Sequence, residues 1–336
     1  MEPAITLPDD WGRFAEKFGV LPRLEALGRT VVHDAPAPDR AALVSRLAQA
    51  EIAVTIRART RFDRALLEEL PALRLIAVTG TGYNQIDVEA ASERGVLVCN
   101  SPGRSSQSVA ELSMALLLAA VRHLPRADQA VRRGDWADPW GTLQGHDLAG
   151  KTLGLLGLGN IGPLVAKMAR AFDMRVLAWS ENMTAERAAA CGAEHRPLEA
   201  LLAESDAVSI HLRLSNRTRG LLTAARLARM KPGAVLVNTS RGEIVDEAAM
   251  VEALRAGHLS AGLDVFNQEP LPASHPLVTL PNVVLAPHVG SVTEETSRRW
   301  VEGAVENVAA YLGGRPANVV NPAALERRPL EPRAAS

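Results

Sequence analysis

The sequence predicts an α/β protein with parallel sheets covered by helices on both faces. Three observations carry that reading. Short aliphatic runs alternate with helix-spaced segments almost throughout the 336 residues. Aromatic residues are only 4% of the chain, so aliphatic side chains must fill the cores. A glycine-rich loop stands between an apolar run and a helical pattern. Alternation of this kind is what parallel sheets with crossover helices require. The length suggests about two domains.

In chain order, strands are expected at Ile52–Ile56, Leu73–Val78, Val96–Cys99, Thr152–Leu156 and Arg175–Ala178, then at Ala207–His211, Ala234–Asn238, Leu259–Val265 and Val283–Ala286. Each is a short run rich in Val, Ile and Leu, bounded by polar or glycine punctuation. Between them, Ile86–Glu93, Ile161–Ala171 and Asp246–Ala256 have apolar residues at helical spacing. Ser108–Leu124 differs, because it is apolar around nearly its whole circumference. It should be buried on several sides, crossing between domains or packing on a second subunit. The tail Ala323–Ser336 is expected to be poorly ordered.

Composition narrows the function. There are 37 basic and 38 acidic side chains, a net charge of −1, and so no field to attract nucleic acid or an anionic membrane. The two cysteines, Cys99 and Cys191, are too few for a disulfide framework or a cysteine-based zinc site, and no metal is expected. Both read as buried thiols in a reducing compartment. The N-terminus has no basic cluster before an apolar stretch, so it is not a signal peptide. The uncharged run Leu271–Thr293 contains Pro272, Pro276, Pro281 and Pro287, which forbid a spanning helix. A cytoplasmic protein is expected.

The sharpest local signal is Gly157-Leu158-Gly159-Asn160-Ile161-Gly162, which follows Thr152–Leu156 and opens a helix. In that context the pattern reads as a dinucleotide-binding turn. Gly157 permits the turn, Gly159 lets the backbone approach a pyrophosphate, and Gly162 lets helix and strand pack closely. The amides at the helix start then meet the phosphate charge. The ribose-contacting acid expected after the next strand is replaced by Ser180, with Glu181 following. No basic residue follows before Arg187. NAD is therefore the favoured coenzyme, and Ser180 leaves NADP open.

Three more segments put ionisable groups just after expected strands, where ligands bind in open α/β sheets. They contain Arg241, Glu269 and His288. Each taken alone has an ordinary structural explanation. Together, behind a dinucleotide loop, they supply a cation for a carboxylate, a proton donor for a carbonyl oxygen, and a carboxylate that favours the charged imidazole.

These segments resemble the D-isomer-specific 2-hydroxyacid dehydrogenase family, which includes glyoxylate/hydroxypyruvate reductases, D-lactate dehydrogenases and phosphoglycerate dehydrogenases. The resemblance runs from about Ile52 to about Tyr311. It rests on Gly80-Thr81-Gly82-Tyr83-Asn84, Ser108-Val109-Ala110-Glu111, the glycine loop, Asn238-Thr239-Ser240-Arg241-Gly242, Asp264-Val265-Phe266 with Glu269-Pro270, and Pro287-His288-Val289-Gly290. It implies Arg241, Glu269 and His288 as catalytic residues. It also implies coenzyme contacts at Gly157, Gly159, Asn160, Ile161, Gly162, Ser180, Thr239, Ser240, Asp264 and Gly290, and substrate contacts at Gly80, Thr81, Gly82 and Arg241. Arg59 resembles a position that meets phosphorylated or carboxylate substrates in some members, or else is a surface arginine. Arg213 and Ser215 depart from the family's proline and threonine in the stretch after His211.

The resemblance further implies a Rossmann coenzyme domain at 104–292 and a smaller flavodoxin-like substrate domain at 1–103 and 293–336, with a cleft between them. The implied reaction interconverts a small 2-oxo acid and a D-2-hydroxy acid. A homodimer through Ser108–Leu124 is expected. Two rivals are weighed. An NAD-dependent formate dehydrogenase would carry glutamine where Glu269 stands. A non-enzymatic NAD-sensing corepressor of the same fold would lack turnover.

Overall fold

The computed structural model describes residues 2–57, 59–136 and 138–327. Among them the chain forms two compact units, residues 2–105 with 292–327, and residues 106–291. Among the described residues twelve strands run in chain order: β1 (Ala4–Leu7), β2 (Arg29–Val32), β3 (Ile52–Ile56), β4 (Leu75–Thr79), β5 (Leu97–Cys99), β6 (Thr152–Leu156), β7 (Arg175–Trp179), β8 (Glu194–His195), β9 (Ala207–Ile210), β10 (Ala234–Asn238), β11 (Leu259–Leu263) and β12 (Val283–Leu285).

The discontinuous unit holds a five-stranded parallel sheet in the order β2-β1-β3-β4-β5, the flavodoxin-like arrangement. Every residue of β3 and β4 is buried, because helices cover both faces. The returning helix Glu294–Leu312 lays Val301, Ala304, Val305 and Val308 on one face of that sheet. Thr293 caps it, its hydroxyl accepting from the Thr296 amide.

The second unit holds a seven-stranded parallel sheet in the order β12-β11-β10-β9-β6-β7-β8. Strand order reverses between β6 and β9, and a ligand crevice is expected there at the carboxyl ends of the strands. The apolar helix Ser106–Val121 packs on β10, β11, β12 and the helix Gly162–Ala171. It comes so close to β11 that a Cβ at Gly262 would stand 2.8 Å from Leu116 Cβ. Ala110, Met114, Leu116, Leu117 and Ala120 are buried in the core of its own unit, and Leu112, Leu118 and Val121 are partly buried against that core. It stops at Val121, and a second helix, Leu124–Arg132, leaves at 63°.

Three strands escape the sequence reading. β1 and β2 have four residues each and β8 has two, too short to show a period. β2 and β8 are also edge strands. The tail differs as well. Asn321 accepts from the Val98 amide at 2.8 Å and donates to the Val96 carbonyl at 2.9 Å. That anchors a helical turn at Ala324–Arg327, and the remainder of the expected disordered tail, 328–336, lies outside the described residues. Cys99 is buried and burial pushes its thiol up to about 12, whereas Cys191 is only partly covered, against the expectation of two buried thiols. No single helix among the described residues is long and apolar enough to cross a membrane.

Candidate active site

At the switch point, the Gly157 amide donates to the Trp179 carbonyl at 2.8 Å, tying the loop after β6 to the end of β7. Gly157 has φ +104°, and a Cβ there would stand 2.7 Å from the His211 carbonyl oxygen after β9. Only glycine fits both demands. A Cβ at Gly162 would overlap the Gly157 carbonyl. Gly159 is the opposite case, since a Cβ there would meet nothing within 4 Å. Its smallness serves no protein contact, and the space suits an approaching pyrophosphate. The amides of Gly159, Asn160 and Ile161 donate to no other described residue, at the start of a ten-residue helix. The loop therefore fits a dinucleotide. Gly159→Ala is expected to leave the melting temperature within about 1 °C but to weaken dinucleotide binding by roughly tenfold or more. Paired thermal melts and fluorescence titrations check this.

The loop after β10 is built by Asn238. Its buried side chain accepts from the Ser240 amide at 3.0 Å and donates to the Arg241 carbonyl at 2.9 Å. This side-chain turn fixes residues 239–241. The Ser240 hydroxyl donates to the Leu212 carbonyl. The Thr239 hydroxyl lies 2.8 Å from that of Ser113, whose own proton goes to Val109, so Thr239 donates. Both hydroxyls are thus engaged within the protein. Arg241 is exposed, donates once to the Ser240 carbonyl at 2.7 Å, and pairs with no carboxylate among the described residues. A Cβ at Gly242 would overlap the backbone at Phe266 and Asn267, so this glycine lets the β10 and β11 loops touch.

Glu269, on the β11 loop, accepts from the Phe266 amide through Oε1 at 3.1 Å. Its Oε2 lies 2.6 Å from His288 Nδ1. A carboxylate can only accept, so Nδ1 donates and Nε2 is left for another partner. His288 sits at φ +53°, a conformation that costs a non-glycine residue about 1 kcal/mol. Asp264 holds it there: its buried carboxylate accepts from the Val289 amide at 2.7 Å and the Gly290 amide at 2.8 Å. Burial pushes the Asp264 carboxyl up, and the two amides pull it partly back. A recess of about 560 Å³ lies against the pair, lined mainly by Phe266, Leu271, Leu285 and Pro287.

The description of a known family agrees with this arrangement. Residues 114–290 match the NAD-binding domain of the D-isomer-specific 2-hydroxyacid dehydrogenases. The chain belongs to that family. It is 44% identical over 291 residues to the glyoxylate reductase of Aeropyrum pernix, covering 84% of this chain and 87% of that one. It is 40% identical over 300 residues to the glyoxylate reductase of Korarchaeum cryptofilum, covering 88% and 90%. The crystal structure of an NADPH-dependent glyoxylate/hydroxypyruvate reductase from Sinorhizobium meliloti superposes with a TM-score of 0.78 at 31% identity, over 95% of this chain and 97% of that one. As a member, the chain is an NAD(P)-dependent oxidoreductase acting between 2-oxo and D-2-hydroxy acids.

In the other unit, Gly80 has φ +141° and its carbonyl accepts from the Ser101 amide at 2.7 Å. Asn100 donates to the Thr81 carbonyl at 2.7 Å. The amides of Thr81 and Gly82 donate to no other described residue. Arg59 is not a surface charge: it donates to the Asp9 carbonyl at 2.9 Å and stacks over Trp11 and Phe14. Its neighbour Arg57 is exposed, lies over the Trp300 ring, and has no carboxylate partner among the described residues.

Sequence reasoning missed the roles of Asn238, Ser113 and Gly242. Asn238 alone left a readable signal, an Asn closing an apolar strand before a turn. His211 was also passed over. Its Nε2 meets the Ser209 hydroxyl at 2.9 Å, while Nδ1 is enclosed without a partner. Burial pulls this imidazole down from 6.5 to about 4. The unfolded chain therefore takes up a proton below pH 6.5 that the fold refuses. Stability is full above pH 6.5 and falls as pH drops toward 4, by up to ~3 kcal/mol from this group. Melts of the protein without coenzyme at pH 7 and 4.5 are expected to differ by several degrees less in His211→Gln.

Proposed function

We propose that the chain reduces a small 2-oxo acid of glyoxylate or hydroxypyruvate size to the D-2-hydroxy acid. The observation that carries this reading is the His288–Glu269 pair with Nε2 left free, on strand ends neighbouring the unpaired Arg241. Arg241 binds the substrate carboxylate and orients the carbonyl. His288 gives its Nε2 proton to the carbonyl oxygen as the carbon is reduced. Glu269 holds Nδ1 and balances the imidazolium charge. Gly157–Gly162, Ser180 and the 239–241 turn hold the coenzyme, and Asp264 and Gly290 fix the histidine turn beside it. When bound, the reduced nicotinamide supplies the hydride.

The discontinuous unit serves as the substrate domain in this reading. A homodimer through Ser108–Leu124 is part of the proposal, and the apolar side chains Leu124, Val131, Trp136 and Trp140, at its end and just beyond it in the chain, are exposed. Sedimentation showing only monomer at micromolar concentration would remove it. A cytoplasmic location rests on the two unpaired thiols.

The test is loss of reduced-nicotinamide absorbance with glyoxylate, hydroxypyruvate, pyruvate and phenylpyruvate, each with NADH and NADPH. Turnover confined to glyoxylate and hydroxypyruvate supports the assignment. Turnover only with phenylpyruvate would move the substrate class. Silence in every combination, despite dinucleotide binding, would favour a dinucleotide sensor.

A further inference from the structure

Along the sequence, no cation stands near Ser180, and that absence is what favours NAD. The folded chain supplies one from elsewhere. The sheet order β9-β6-β7 sets the loop after β9 and the loop after β7 on either side of the glycine loop. Arg217, on the β9 loop, reaches Glu181 at 3.1 Å and is itself 75% exposed. The same loop carries Arg213 and Arg219 and no acid between His211 and Gly220. Arg219 faces Glu243 at 3.9 Å, and Arg213 is exposed and without a carboxylate partner among the described residues. Three arginines set against Glu181 and Glu243 leave this rim one charge positive.

Ser180, partly covered at the end of β7, has a hydroxyl with no partner among the described residues. An acid at that place would accept from both ribose hydroxyls and repel a 2′-phosphate. A serine does neither. Glu181 could repel a phosphate in its stead, but its charge is matched by Arg217. Only one guanidinium nitrogen of Arg217 is engaged, and a planar guanidinium offers five donors. A phosphate dianion would gain two-point, charge-assisted contact that a neutral ribose hydroxyl cannot return.

We propose that Ser180 and Arg217 form a recognition point for the adenosine 2′-phosphate, so that this chain binds NADP(H) more tightly than NAD(H). The inference rests on dinucleotide binding at the glycine loop and not on the roles given to Arg241, Glu269 and His288. Its test needs no substrate. Calorimetric titration with adenosine 2′,5′-bisphosphate and with ADP reads the adenosine half alone. The native chain is expected to bind the bisphosphate more tightly than ADP. Arg217→Ala, at an exposed position that leaves folding intact, is expected to weaken the bisphosphate by about tenfold, as one charge-assisted contact would, and to leave ADP within about twofold. Arg217→Lys should recover part of the loss, and raising salt should narrow the difference between the two ligands. Tighter binding of ADP by the native chain, or an equal loss of both ligands in Arg217→Ala, would overturn the proposal. Such a failure would leave turnover of 2-oxo acids untouched, and absent turnover would leave this titration readable.

Discussion

His288→Ala is expected to lower the turnover number by about 10²–10⁴-fold while leaving dinucleotide affinity within about twofold. The expectation follows from how much of the surrounding structure serves one imidazole. Glu269 spends one oxygen on the Phe266 amide and the other on His288 Nδ1, so the carboxylate is fixed before it fixes the ring. Asp264 gives both oxygens to the amides of Val289 and Gly290, the residues that follow the histidine in its positive-φ turn. A turn held against its own backbone preference, and ending in one unassigned nitrogen, is the arrangement of a positioned proton donor. Glu269→Gln separates two contributions. It can keep a hydrogen bond at Nδ1 but removes the charge, so the rate should fall less than in His288→Ala. Single-turnover rates measured across pH, with coenzyme affinity read by fluorescence, decide the matter. An unchanged rate in His288→Ala would take the residue out of the chemistry.

The same residues show what a sequence can and cannot carry. The buried strands β3, β4, β6 and β10 are mostly aliphatic, with at most one Thr or Asn each, and their burial on both faces leaves no polar alternation to confuse the reading. Gly157, Gly159 and Gly162 are legible because the strand before them and the helix after them are legible. Arg241, Glu269 and His288 are legible as types at strand ends. What holds them is not, since Asn238 to Arg241 is a local turn whereas Asp264 to Val289 spans 25 residues. Arg217 is the clearest instance. It stands 36 residues from Glu181 in the chain, and only the placing of β9 and β7 around β6 brings the two together. Ser106–Val121 is legible in a more limited way, because an all-apolar helix announces burial without saying what buries it.

Arg241→Ala is expected to lower kcat/KM for the 2-oxo acid by roughly 10²–10³-fold, mostly through KM, as the loss of a two-pronged charged contact would. Arg241 donates only once within the protein, to the carbonyl beside it, and its remaining donors face no described acceptor. Carboxylate binding in the ground state and the transition state is nearly equal, so KM should carry the larger share of the loss. The smaller fall in kcat would reflect a carbonyl no longer aligned with His288. Arg241→Lys distinguishes charge from geometry. A lysine keeps the cation but offers a point where the guanidinium offers a fork, so it should restore KM in part and kcat less. A carboxylate-free ketone, if turned over at all, should be indifferent to either substitution. Gly242 shows why the position tolerates little else. Its missing side chain lets the Arg241 loop rest on the Phe266–Asn267 backbone, and Glu269 holds that same segment by the Phe266 amide. Arg241 and Glu269 are thus joined by one stretch of main chain. A Cβ at 242 should disturb both at once, raising KM and lowering kcat together, where Arg241→Ala acts chiefly on the first.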